Sequence, residues 1–320
     1  MQNGRNFFLP CVWLAADVQF ARGHISGGDA PELWRGTIKN ELGLHRPHQV
    51  GLLLEPMKHR VGAELGRGCN MDCPGLILES ESLAGQPGEV MQPPAMRVHL
   101  KFLGSSMEHA VPALLALQSG LSKGVGKRGV VGTLTAWHAR RDGGWLSIPI
   151  PMRASDLQPF ADEPSALANG VGPIQAFRGG PPVRTIVVRT TSRWIWRKAR
   201  QLVSTPPQLT DVLDLVEARV RRVVAVWGEP GRVGAAAEGW ECPPGLQREA
   251  QGAALADCHW ALRPRLQRNA YPSDGCEGHL SYVGHFSPAL IELLQAGSFL
   301  HVGQQTAIGL GGYAVEIGAD

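Results

Sequence analysis

Apolar and polar residues alternate along several short stretches of the chain and elsewhere recur at every third or fourth position, and these two periods separate strands from helices. Residues 9–22, Arg97–Leu103 (RVHLKFL), Val131–His138, Val183–Thr190, Cys258–Leu262, Gly278–Phe286 and Tyr313–Ile317 each predict a strand. Helical spacing runs over Ala30–Leu42, Val111–Gly120, Arg193–Leu202, Gln208–Val226 and Pro288–Gln295. Before the first helix, Ser26–Asp29 supplies a turn and a cap, and Pro31 sits where proline opens helices. Leu33, Trp34, Ile38 and Leu42 form its stripe to be buried, while Arg35 and Lys39, four apart, share another face. The apolar runs Val50–Leu54 and Gly75–Leu78 read as hairpin-like, and Glu241–Gln251 as weakly structured.

One pattern occurs twice. PALLALQSG (112–120) and PALIELLQAG (288–297) differ mainly by one inserted residue, and each leads through glycines into a strand. Internal similarity at this distance points to two copies of one domain. The order strand, helix, hairpin, helix, strand fits the ferredoxin-like unit that also underlies the RRM fold. The expected class is α+β, with tandem ferredoxin-like domains at 1–142 and 183–320. Residues 143–182, rich in Pro and Gly, form the connection, with a short strand at Leu146–Ile150. Thr205, Pro206 and Pro207 separate Arg193–Leu202 from Gln208–Val226, so residues 192–228 read as a helical hairpin inserted in the second domain.

Composition narrows the class. The chain has 320 residues, 43% hydrophobic and 18% charged, which is enough for two globular domains, and no run approaches the ~20 apolar residues of a membrane span. Asp17 and Gln19 interrupt the apolar opening, so it reads as a strand and not a leader. Six scattered cysteines fit reduced thiols in a cytoplasm, and Cys69 and Cys73 lack the two further ligands of a zinc site. Net charge is only +3, but Arg184–Arg222 holds nine basic residues against three acidic ones. That concentration points to a polyanion, although solvated arginines on a core-packed helix pair would give the same count.

Gly303, Gly309, Gly311 and Gly312 punctuate the segment between the last helix and the last strand. Successive amides there would suit an anion, but G-x-x-x-x-G-K-[ST] is absent and the loop precedes a strand, which excludes a mononucleotide P-loop. A tight structural connection is the alternative.

The order helix, Phe299-Leu300-His301-Val302-Gly303, then Gly309-Leu310-Gly311-Gly312-Tyr313 resembles the C-terminal signature of the CRISPR repeat-processing endoribonucleases of the RAMP superfamily. Thr190-Thr191-Ser192-Arg193, Glu217–Arg222 running to Trp227-Gly228, and Gly275–Val283 are similar in order and spacing, so the resemblance covers roughly residues 183–317. It implies a cytoplasmic protein that binds the stem-loop of CRISPR repeat RNA, cuts it, retains the product and meets other CRISPR effector subunits. A basic hairpin suits the type IV branch. Its RNA contacts would be Lys39, Arg193, Arg197, Lys198, Arg200, Arg219, Arg221 and Arg222, with Gly303, Gln304, Gln305, Gly309 and Gly311 of the loop.

Cutting RNA without a metal requires a base for the 2′-hydroxyl, positive charge at the phosphate and an acid for the leaving 5′-oxygen. Asp and Glu are dispersed, with no D-x-D or H-E-x-x-H pattern, so neither metal nor other cofactor is expected. The resembling family places its site beside the first helix and the glycine loop. The matching positions are His24 before that helix and His45 and His48 after it, with Arg22, Arg35 and Lys39 at the phosphate charge. No tyrosine stands in the helix, so an arginine-dominated site is equally consistent. A non-catalytic RAMP subunit and a general RNA-binding module remain alternatives. Tyr282, Trp194 and Trp196 are either base-stacking or core residues, and His301 either structural or substrate-facing.

Overall fold

The computed structural model describes residues 11–21, 25, 30–54, 74–83, 95–126, 129–141, 144–151, 153–160, 183–198, 201–227, 244–263, 274–304, 306 and 310–318. The chain divides into two compact units, built mainly from Leu9–Glu163 and from Pro164–Thr306 with Leu310–Asp320.

In the first unit the order is β1 (Cys11–Phe20), α1 (Ala30–His45), α2 (Pro47–Leu53), β2 (Leu76–Leu83), β3 (Ala95–Leu103), α3 (Ala110–Lys123), β4 (Gly132–Arg141) and β5 (Gly144–Ile148). The sheet runs β2-β3-β1-β4-β5, with each pair antiparallel. Alternation decides its faces. Val12, Leu14, Ala16, Val18 and Phe20 of β1 and Met96, Val98, Leu100 and Phe102 of β3 join Trp34, Ile38 and Leu42 of α1 and Leu114, Leu117 and Leu121 of α3 in one core. The two helices cross so closely that a Cβ on Gly120 would lie 2.1 Å from Thr37 Cγ2. The run Val50–Leu54 is helical up to Leu53 and not a hairpin strand, because Pro47 opens a helix that buries Val50 and Leu53.

The opposite face of this sheet is polar and paired. Arg97 donates to both carboxylate oxygens of Asp17, directly across the ladder, at 2.6 and 2.9 Å, and His138 Nε2 lies 2.9 Å from Asp17 Oδ2. His99 and Arg97 reach Glu81, and Lys101 pairs with Glu79. Burial alone would raise the Asp17 carboxyl, but the hydrogen bonds from Arg97 and His138 and their charges hold it below its ordinary 3.8.

The second unit repeats the plan with β6 (Val183–Thr190), a two-residue hairpin of β7 (Arg197–Lys198) and β8 (Gln201–Leu202), α4 (Leu209–Trp227), α5 (Pro244–Gln251), β9 (Ala254–Arg263), β10 (Gly275–Phe286), α6 (Pro288–Leu300) and β11 (Tyr313–Ile317). Its sheet order, β11-β6-β10-β9, read from the other edge, matches β2-β3-β1-β4 of the first unit, strand for strand. Each unit is therefore a βαββαβ ferredoxin-like fold, and the two similar peptides are its second helix in each copy, within α3 and α6.

The helical hairpin needs correcting. Arg193–Leu202 forms no helix: Trp194 bridges Cys276 of β10, and the chain then turns through β7 and β8. Gln208–Val226 is helical as expected, as α4, but α4 is the first helix of the repeat and not a projection. Val212, Leu213, Val216, Val220 and Val223 are fully buried, and α4 packs on α6. Arg219 lies on that buried side, 4% exposed, and its Nε donates to Leu300 O at 3.0 Å, so it is not a surface cation. Glu241–Gln251, read as weakly structured, contains α5.

Two outcomes are expected. Arg219→Met keeps the packing volume but removes the bond that caps α6, and should cost about 1.5–3 kcal/mol in denaturant unfolding. For Asp17, a folded pKa below the unfolded one stabilises at pH above the ordinary carboxylate value and is lost as pH falls through the folded value. The stability advantage of the native chain over Asp17→Asn should therefore shrink below about pH 4.

Candidate RNA-binding site

In the second unit the chain leaves β6 at Thr190 and runs as a strap through Thr191–Trp196 before turning into the β7–β8 hairpin. One side of the strap is bonded to β10: Trp194 N donates to Cys276 O and Cys276 N to Trp194 O, both at 2.9 Å. The other side is bonded to the glycine loop. Gly311 N donates to Arg193 O at 2.8 Å, Gln304 N to Ile195 O at 2.9 Å and Gly312 N to Ser192 Oγ at 2.8 Å. Within the loop, Val302 N donates to Gly311 O at 3.0 Å.

The glycines follow from this packing. Gly303 and Gly311 both have φ +83°, and a Cβ on Gly311 would lie 1.8 Å from Val302 O, one on Gly303 2.8 Å from Ile195 O. The amides of Gly311, Gly312 and Gln304 are thus committed to the protein itself, which corrects the expectation of a phosphate cradle at Gly311 and Gln304 in favour of the structural connection. Gln305 and Gly309 lie outside the described residues.

Aromatic residues brace the same region from inside. Trp194 meets Tyr313 and Trp260 edge-on, at 5.2 and 5.8 Å between centroids. The Tyr313 hydroxyl donates to Leu294 O and that of Tyr282 to Pro207 O, and burial pushes both phenols up. Trp194 and Tyr282 are therefore core residues and not base-stacking ones. His301, also fully buried, caps α6 with φ 57° and does not face solvent.

The cations of 184–222 part company. Arg197 and Lys198 are exposed on the hairpin, Lys198 Nζ lying 2.8 Å from Asp211 and 4.7 Å from the centroid of the half-buried Trp196 ring. Arg189 pairs with Glu316, Arg221 with Glu217, and Arg193, only 9% exposed, with Glu277. Arg222 is half-buried, and Arg200 lies outside the described residues. Local pairing thus offsets much of the excess read from the sequence; among the described residues Arg184 on β6 is exposed, as are Arg197 and the Asp211-paired Lys198 on the hairpin.

In the first unit α1 carries Arg35, Lys39 and His45. Arg35 is half-buried and its Nη2 donates to Leu54 O at 3.0 Å, tying α1 to the end of α2. Lys39 is half-buried one turn on, and His45 is exposed in the last turn, near the Glu41 carboxylate that accepts from Lys123 and Ser119. Arg22 and His24 lie outside the described residues. Sequence reasoning missed the strap and the side chains Thr191 and Ser192 that shape it. Their signal was the small-residue triplet beside a glycine loop, which has meaning only once the two are known to touch.

Among the described residues no helix is long and apolar enough to cross a membrane. Residues 175–313 match the family model of the CRISPR-associated endoribonuclease Cas6. A Cas6 product complex superposes with a TM-score of 0.51 at 13% identity, over 96% of this chain and 100% of that one. Thermus thermophilus Cas6 does so with a TM-score of 0.50 at 12% identity, over 96% and 99%. A chain of a partial Cas6–RT–Cas1–Cas2 complex gives a TM-score of 0.58 at 15% identity over 98% of this chain, which spans 47% of that longer one. No curated protein matches the chain. Residues 175–313 are thus similar in sequence to the CRISPR-associated endoribonuclease Cas6 family, and over nearly its whole length the chain shares the fold of solved Cas6 proteins.

Proposed function

We propose that the protein is a CRISPR repeat-processing endoribonuclease. The observation that carries this reading is the coincidence of the Cas6 family match with a second ferredoxin-like unit whose glycine loop is bonded to the base of an exposed basic hairpin. Arg197 and Lys198, with Arg200 beside them in sequence, meet the phosphates of the repeat stem-loop. A β-hairpin of this size engages the backbone or the end of the stem, since the A-form major groove is too narrow for a closer approach. Arg193, Arg221 and Arg222 act through their ion pairs and packing more than as direct contacts. Solved relatives are described as a product complex and as part of a Cas6–RT–Cas1–Cas2 complex. By the same logic this chain holds its cut RNA and meets other CRISPR proteins.

The reaction is internal transesterification. One general base, His24 or His45, takes the 2′-hydroxyl proton as that oxygen attacks the adjacent phosphorus. The P–O5′ bond breaks, an acid returns a proton to the leaving oxygen, and the products are a 2′,3′-cyclic phosphate and a 5′-hydroxyl. Arg22, Arg35 and Lys39 stabilise charge on the crowded phosphate, guanidinium being charged at any working pH. The mechanism needs no metal ion.

The test is incubation of the protein with the transcript of its own repeat in EDTA, with mapping of both new ends. Cleavage to a cyclic phosphate is expected, and His24→Ala or His45→Ala, whichever removes the acting group, should slow it about 10²- to 10⁴-fold with binding retained. Cleavage abolished by EDTA and restored by a divalent ion would refute the mechanism. Tight binding without any cleavage would favour a non-catalytic RAMP subunit.

A further inference from the structure

The face of the first sheet turned away from α1 and α3 ends, toward β5, in a cluster unlike the ion pairs on the rest of it. Trp13 of β1 and Trp145 of β5 meet edge-on at 5.3 Å, and His99 of β3 lies 5.9 and 5.3 Å from the two rings. Arg140 of β4, which pairs with Trp145 across the ladder, places its guanidinium 5.4 Å from both indole centroids, and Lys101 Nζ lies 4.8 Å from that of Trp13. His99 is buried, whereas Trp13 and Trp145 are both half-buried, Trp145 on an edge strand whose neighbours Gly144, Leu146 and Ser147 are exposed.

A sheet face open to water is ordinarily furnished with small polar and charged side chains, and two indoles with a guanidinium over both are a poor fit to water alone. They are a good fit to a nucleobase, which stacks on an aromatic ring whatever its identity, and to the phosphate beside it. Charge agrees. The acidic groups of this face are each held by a cation, Glu79 by Lys101, Asp17 by Arg97 and Glu81 by His99. Among the described residues the charged side chain over the Trp145 ring is Arg140, which shares its face of the sheet.

We propose that this corner of the first sheet binds an unpaired nucleotide of RNA, its base against Trp145 and its phosphate on Arg140. The site uses none of the residues assigned to the basic hairpin or to cleavage. It rests on the protein's binding RNA but not on its cutting it, so loss of the proposed cleavage would leave the inference standing.

The test uses two labelled probes, an unstructured oligouridylate and a blunt RNA stem-loop, with the full-length protein. Trp145→Ala should weaken binding of the single strand about 5- to 150-fold, the range for removing one base–aromatic stack, while changing stem-loop binding less than about twofold. Trp145→Phe should restore most of the loss, because it keeps an aromatic face, and Arg140→Gln should weaken the single strand alone. Equal binding of oligouridylate by the native chain and Trp145→Ala, or no binding by either, would overturn the proposal. So would an equal loss on both probes, or tighter binding of oligodeoxyuridylate than of the RNA.

Discussion

The hydrogen bond from the Gly311 amide to the Arg193 carbonyl, 2.8 Å long, fixes the second half of this molecule. Through it the loop before the last strand closes on the segment after the first strand of the same unit, and that segment is bonded on its far side to β10. A strap held from both sides has no freedom to drift, so the β7–β8 hairpin that follows it leaves from a fixed base. The same contact explains the glycines, since a side chain on Gly311 or Gly303 would occupy the place of a carbonyl oxygen. A signature that looks like a ligand loop is, in the described residues, a clasp on the strap that leads into the hairpin.

Much of the fold was legible because its elements are locally self-consistent. Arg97–Leu103 alternates and is a strand; Gln208–Val226 has valines and leucines at helical spacing and is a helix within one residue at each end. The repeated peptide announced the duplication because the second helix of each copy meets the same packing demand. Arg193–Leu202 misled for a physical reason. Its tryptophans and arginines sit at helical spacing, but Trp194 is drawn into the core against Tyr313 and the backbone bonds sideways to β10 and the loop, so tertiary bonding overrides local propensity. Charge misled similarly: Arg219 is basic in the sequence and buried in the fold, because the nearest carbonyl at the end of α6 needs a donor. The Trp13–Trp145 cluster was invisible, since it depends on the register of β1, β4 and β5 across residues far apart in the chain.

The two copies share a plan and differ in what they display. In the first unit the uncovered sheet face is closed by ion pairs at one end and aromatics at the other, around Asp17, Arg97 and Trp13. In the second, the corresponding face carries Arg189 with Glu316 and the stacked pair His259 and His279, the latter 3.2 Å from Asp257. Elaboration of the second unit went instead into the connection between its first strand and first helix, which holds the strap and hairpin. One duplicated scaffold thus carries an aromatic cluster in one copy and a basic hairpin in the other.

The clasp is tested most directly by amide hydrogen exchange, residue by residue, at Val302, Gln304, Gly311 and Gly312. In the RNA-free protein these amides should be protected to the level of the neighbouring β6 and β10 amides, and repeat RNA should leave them unchanged. Fast exchange in the free protein, with protection gained only on adding RNA, would mean that the loop amides wait for phosphate and would contradict the account.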